Sequence, residues 1–161
     1  MACEIVEYKR VLFVLWGKPE PHDLTLLMRR VRALHDKVGP YVFIARVPAR
    51  AEVPDEMMRK ALSRAIAEIS ESCASYHAVM EGVGFFSAAK RAVLASLFFM
   101  SKHRGKFNVH SCIQDVVDHV PYSQKAEVEW ALRKFEPRGL LGHNLGSISP
   151  PATASAPPPA P

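Results

Sequence analysis

The sequence predicts an α/β fold: a mostly parallel sheet of four to five strands with crossover helices. Short, continuous apolar runs such as Val11–Trp16 are typical of strands buried on both faces. Longer stretches with apolar residues at helical spacing separate these runs, and Gly and Pro mark most of the junctions. Strands that alternate with helices favour parallel pairing through crossover connections.

The first half of the chain is predicted to form a strand pair, followed by a helix, a strand and a second helix. Glu4–Tyr8 is predicted as an edge strand, with Lys9-Arg10 near the hairpin turn that leads into the Val11–Trp16 strand. Next come a helix from about Asp23 to Val38, stopped by Gly39-Pro40, a second buried strand over Tyr41–Ala45, and a helix that begins at Pro54-Asp55-Glu56.

The second half continues the alternation. The elements predicted there are a strand over Tyr76–Met80, a third helix from Ser87 to about Lys102, a short strand over Phe107–His110, a helix with a capping box at Ser111-Cys112-Ile113-Gln114, and, after Pro121, a last helix over Ser123–Phe135. Residues 1–138 are therefore expected to form one domain.

The C-terminal segment, residues 139–161, has a different composition. It is rich in Gly, Pro and Ala, with few side chains that could be buried, so it is expected to be a disordered tail. A proline-rich docking segment is the alternative.

Composition limits the function classes. The net charge is +5, but the basic residues are dispersed, so no specific nucleic-acid partner is expected. Three cysteines without paired spacing suit reduced thiols, and no run has the length of a membrane span or the form of a signal peptide. These features predict a cytoplasmic protein.

The turn after the Tyr76–Met80 strand is the main candidate site. Gly82-Val83-Gly84-Phe85-Phe86-Ser87 follows a strand and opens a helix, as a dinucleotide-binding turn would. A serine replaces the third glycine, and two aromatic residues occupy the place where a pyrophosphate would approach. A glycine turn with Ser87 as helix cap is therefore preferred, and Ser87 is also a candidate phosphorylation site.

Metal and catalytic signals are weak. His110 and Cys112 could in principle share a strand face, but zinc-site spacing is missing, so no metal and no cofactor is predicted. Asp115 and Asp118 are expected to be solvated, Cys73 is expected in the core, and no hydrolase or phosphate-loop motif is present. No catalytic residue is predicted, and the chain is expected not to be an enzyme.

The third predicted helix carries an unusual pattern. Ala92–Met100 contains one polar residue, Ser96, and the apolar residues fall on both sides of the helix. Phe98 and Phe99 lie near Arg91 on the outward side. Cover by C-terminal residues, a surface for a protein partner or a second copy, and contact with a membrane surface are the three interpretations.

The strand–helix order and the Glu81–Lys90 turn resemble the STAS superfamily, typified by bacterial anti-sigma-factor antagonists. The resemblance covers roughly residues 4 to 120. It implies an N-terminal strand pair followed by alternating helices and strands, and a regulatory serine in the loop that opens the third-strand helix, where Ser87 lies. The family's Asp-Ser-Ser-Gly-type motif is absent here.

Together these features predict a non-catalytic regulatory or scaffold domain in bacterial signalling. It would bind a protein partner, or itself, through the turn at 82–87 and the third predicted helix. The predicted contact residues are Gly82, Gly84, Phe85, Arg91, Phe98 and Phe99. The alternative is a small-molecule or lipid pocket at the carboxyl ends of the strands, lined by Trp16, Phe85 and Phe86.

Overall fold

A computed structural model describes residues 3–82, 104–138 and 140. Five strands and four α-helices lie within them. In chain order these are β1 (Glu4–Tyr8), β2 (Val11–Leu15), α1 (Pro21–Val38), β3 (Val42–Val47), α2 (Glu56–Ser72), β4 (Ser75–Met80), β5 (Phe107–His110), α3 (Ile113–His119) and α4 (Tyr122–Phe135). The predicted helix over 87–102 lies outside the described residues.

The strands form one mixed sheet in the order β1-β2-β3-β4-β5. β1 pairs antiparallel with β2, and the remaining three pairings are parallel. The predicted α/β class and hairpin are therefore confirmed, and Lys9 turns the hairpin with a positive φ of 51°. Among the described strands, each parallel strand lies beside its predecessor in the chain.

Both faces of the sheet are covered. Along β2, Leu12 and Val14 pack with α1 and α2, whereas Phe13 and its neighbours Val11 and Leu15 pack with α3 and α4. All five residues of β2 are buried. This double burial explains why the strand is a continuous apolar run rather than an alternating one.

The helix ends follow from local chemistry. The Asp23 carboxylate accepts the Glu20 N–H at 2.9 Å, which caps α1 two residues before the predicted start. Asp55 accepts the Met58 N–H at 2.7 Å and caps α2. Gly39 ends α1 with a φ of 73°, a backbone region in which a side chain would be strained.

The cap of α3 differs from the sequence prediction by one residue. The N-cap is Cys112 rather than Ser111, and the third helical position is Asp115 rather than Gln114. The Asp115 carboxylate accepts the backbone N–H groups of Ser111 and Cys112 at 3.3 and 3.4 Å. A carboxylate accepts hydrogen bonds from these donors better than an amide oxygen does, because it is charged.

The structure also extends the core beyond residue 138. Leu140 falls in the range that the sequence assigns to the tail, yet its side chain is only 1% exposed and packs with α3 and α4. Residues 139 and 141–161 lie outside the described part. None of the described helices has the length and apolar content needed to cross a membrane.

Lys106 joins β5 to the end of α2. Its ammonium group donates to the carbonyl oxygens of Ser70 and Cys73 at 3.0 and 2.8 Å. These carbonyls belong to the last turn of the helix, where backbone acceptors lack helical partners and the helix dipole favours a cation.

We expect Lys106→Met to lower the free energy of unfolding by about 2 kcal/mol, because two charge-assisted hydrogen bonds to the α2 terminus are lost. Urea denaturation at neutral pH measures the change. Lys60→Met is the matched control, since Lys60 forms only an exposed pair with Glu56 at 2.8 Å, worth about 0.5 kcal/mol or less. Equal losses in the two variants would contradict the capping role.

Candidate functional site

The carboxyl ends of the parallel strands form one edge of the sheet. β2, β3 and β4 end there at Leu15, Val47 and Met80. Backbone pairing continues past the strands: the Trp16 N–H donates to the Arg46 carbonyl at 2.9 Å, and the Glu81 N–H donates to the Val47 carbonyl at 3.1 Å. The start of each following loop is therefore held in place, and we call this region the carboxyl edge.

A buried ion pair lies at the carboxyl edge. Arg46 is 8% exposed, and its Nε and Nη2 donate to the two carboxylate oxygens of Glu81 at 2.7 and 2.9 Å. Its Nη1 donates to the backbone carbonyl of Leu140. One guanidinium therefore joins β3, the residue after β4 and the residue that follows the C-terminal helices.

Gly82 follows Glu81 directly, with a φ of 112°. A residue with a Cβ rarely adopts this conformation, so the glycine is required to turn the chain after the ion pair. Of the predicted contact residues, Gly82 alone is described. Gly84, Phe85, Arg91, Phe98, Phe99 and the candidate phosphorylation site Ser87 lie outside the described residues.

The carboxyl edge also exposes apolar side chains. Val53, in the loop after β3, is 68% exposed, and Met57, in the first turn of α2, is 70% exposed. Lys18 and Glu52 form an ion pair at 3.1 Å that connects the loops after β2 and β3. The edge therefore combines exposed apolar groups with charges of both signs.

Trp16 has a different environment from the one expected for a pocket residue. It is half-buried and packs against the cluster of Leu24, Met58 and Ala65 between α1 and α2. The other two residues predicted for a pocket, Phe85 and Phe86, lie outside the described residues. Contact with this cluster gives Trp16 a packing role.

Sequence analysis missed a histidine pair on the face of the sheet covered by α3 and α4. His77 in β4 is 0% exposed, and its Nδ1 lies 3.0 Å from His110 Nε2 in β5, so one ring donates to the other. The rings stack with centroids 5.2 Å apart, and the His119 ring meets His110 edge-on at 4.9 Å. His119 Nδ1 donates to the Asp115 carbonyl at 2.7 Å.

Burial keeps His77 and His110 neutral. Desolvation, helped by the neighbouring His110, lowers the pKa of His77 to about 3. Desolvation and His119 lower the pKa of His110 to about 4, partly offset by Asp115. The pKa of Asp115 itself lies below its usual value because Cys112 and Ser111 donate hydrogen bonds to its carboxylate.

Within the described ranges, no three His, Cys, Asp or Glu side chains are arranged to hold a metal ion. Cys112 acts at the N-terminus of α3 rather than beside His110 as a ligand. Cys73 is buried as predicted, and desolvation raises its pKa to about 11. Desolvation likewise raises the pKa of Cys3 to about 12. Both thiols therefore stay protonated at neutral pH.

A groove of about 260 Å³ lies between the C-terminal halves of α1 and α2, at the opposite edge of the sheet. Arg32 and Glu68 form an ion pair across it at 2.6 Å, with His35 and Asp36 alongside. These side chains are hydrophilic and partly exposed, which is typical of the outer surface of two packed helices.

No protein-family model, no curated protein and no solved structure matches this chain. Function is therefore inferred from the residues and their geometry.

We expect Glu81→Ala to lower the free energy of unfolding by about 3 kcal/mol, because Arg46 then keeps a buried charge without its carboxylate. Chemical denaturation at pH 7 measures the loss. Glu52→Ala is the control: it breaks an exposed pair and is expected to cost less than about 1 kcal/mol. The double variant Arg46→Met/Glu81→Leu should regain much of the loss; failure to do so would show that the charge is not the cause.

Stability is expected to fall as the pH drops from about 6.5 towards 4. The unfolded histidines take up protons in this range while the buried pair stays neutral, so acid favours unfolding by up to about 1.4 kcal/mol per pH unit for each histidine. Urea midpoints at stepped pH values, compared between wild type and His110→Gln, measure the slope. An unchanged slope in His110→Gln would disprove the assignment.

Proposed function

We propose that this chain is a non-catalytic regulatory or scaffold domain of STAS-like fold that binds a protein partner through its carboxyl edge. The observation that carries the proposal is the exposure of Val53 and Met57 at that edge, where Gly82 also follows the end of β4. The element order supports the STAS likeness, since an antiparallel strand pair precedes the alternating helices and parallel strands.

The rigidity of the carboxyl edge supports a binding role. Arg46 holds Glu81 bidentately, and the backbone bonds of Trp16 and Glu81 extend the sheet by one residue beyond β2 and β4. A surface that is ordered before binding loses less conformational entropy when the partner arrives. Exposed apolar side chains within a charged surround are also the usual composition of protein interfaces.

The state of the titratable groups supports a non-catalytic role. His77 and His110 are hydrogen-bonded to each other and hold depressed pKa values. Asp23 and Asp115 cap helices, and the buried Cys73 thiol stays protonated. The histidines and aspartates are engaged in hydrogen bonds within the fold and the thiol is buried, whereas a general base or nucleophile needs a pKa matched to its reaction and access to substrate.

Two observations favour a protein over a small molecule or lipid at the carboxyl edge. The parallel strands follow one another in chain order, whereas ligand crevices in open α/β sheets form where the strand order reverses. Trp16, predicted to line a pocket, packs between α1 and α2 instead.

We expect Met57→Asp to remove at least one specific partner, because the charge must be desolvated at the interface. Affinity capture from the native cell with quantitative mass spectrometry compares wild type, Met57→Asp and Ala33→Asp. The control Ala33 is exposed in the C-terminal half of α1, at the opposite edge of the sheet.

The informative result is the set of proteins lost with Met57→Asp and retained with Ala33→Asp. Light scattering on the same purified proteins tests self-association, in which case the lost partner is a second copy of the chain. If capture and oligomeric state are the same for all three proteins while Met57→Asp keeps its fold, the carboxyl edge is not the interface.

A further inference from the structure

The outer side of α4 exposes two large aromatic residues. Tyr122 is 94% exposed and Trp130 is 52% exposed, with the small, exposed Ala126 midway between them. These residues follow one another at steps of four, so they form a row along the helix, about 12 Å from Tyr122 to Trp130. The inner side of the same helix is buried through Val128, Ala131, Leu132 and Phe135.

The row has a distinctive shape. A small residue between two large flat rings leaves a shallow notch on the helix surface. Flat aromatic surfaces of this kind are what proline-rich segments bind, since proline rings pack against them and the polyproline II conformation costs little entropy to fix.

The chain itself supplies such a segment. After α4 and a short 3₁₀ turn over Glu136–Arg138, the chain is anchored at Leu140, whose side chain is buried and whose carbonyl accepts from Arg46. The sequence then continues from 141 to 161 without Asp, Glu, Lys or Arg and with six prolines, three of them consecutive at Pro157–Pro159.

The lengths are compatible. Helix α4 has 14 residues and is about 21 Å long. Ten extended residues after Leu140 already reach about 31 Å, so the prolines from Pro150 onward can return along the whole helix. A segment tethered to the end of the helix also has an effective concentration near the millimolar range, which a free partner rarely reaches.

We propose that the aromatic row of Tyr122, Ala126 and Trp130 binds the chain's own proline-rich segment, residues 150–161, in an orientation antiparallel to α4. The segment carries no acidic or basic side chains, so it covers the row without an unpaired charge. The proposal stands independently of the partner at the carboxyl edge.

The test observes Trp130 in the full chain. The protein contains two tryptophans, so Trp16→Phe leaves Trp130 as the single fluorophore. Replacing Pro157, Pro158 and Pro159 together by Ser should shift its emission to longer wavelength and increase its quenching by acrylamide. Replacing Ala152, Ala154 and Ala156 by Ser alters the same segment without removing a proline, and should leave both signals unchanged.

A second measurement avoids any loss of stability caused by Trp16→Phe. In the full chain labelled with 5-fluorotryptophan, the fluorine resonance of Trp130 should move in the proline variant while that of Trp16 stays fixed. Dilution should change neither signal, because the contact lies within one chain. A Trp130 signal that is the same with and without the prolines overturns the proposal, and one that changes on dilution assigns the row to the segment of a second copy instead.

Discussion

The arginine of β3 is the constraint on which much of this structure depends. Arg46 places a permanent charge at the end of a strand that is covered on both faces, and it is 8% exposed. A charge in such a position is tolerated only with a counter-charge and hydrogen-bond acceptors for its remaining donors. Glu81 and the Leu140 carbonyl meet this need from 35 and 94 residues further along the chain.

The same face of the sheet carries a second buried polar pair, which is uncharged, whereas Arg46 and Glu81 are charged. His77 and His110 remain buried because they are uncharged and share a hydrogen bond across neighbouring strands. Both pairs require the observed register, in which Arg46 lies beside Val79 and Val79 beside His110. A slip of one residue would turn these side chains to the opposite face, under α1 and α2, so the polar pairs specify a pairing that apolar residues alone leave loosely defined.

The contrast between predicted and unpredicted features has a physical origin. The strand pair, β2 to β5 and the four described helices follow from local signals: apolar runs, helical spacing and Gly or Pro at the ends, as at Gly39-Pro40. The ion pair and the histidine pair depend on which strands become neighbours, which no local pattern contains. The sequence signal that could have indicated these two pairs is a polar residue inside a strand buried on both faces, such as Arg46 or His77. The predicted cap of α3 lies one residue before the observed one because Gln114 and Asp115 both suit the third helical position. The structure places Asp115 there, and its charged carboxylate accepts the N–H of Cys112.

The ion pair also determines what kind of surface the carboxyl edge can be. Glu81 is held bidentately by an arginine that is itself enclosed, and the next residue, Gly82, leaves the sheet in a conformation that favours glycine. A buried charge therefore holds Glu81, the residue at which the chain leaves β4. The same guanidinium also binds the carbonyl of Leu140. Arg46 therefore holds both Glu81, at the end of β4, and Leu140, from which the C-terminal segment continues. Any partner that displaced Glu81 would leave Arg46 buried and unpaired, at a cost of several kcal/mol. Binding at this edge is thus expected to add to the existing surface and to leave the ion pair intact.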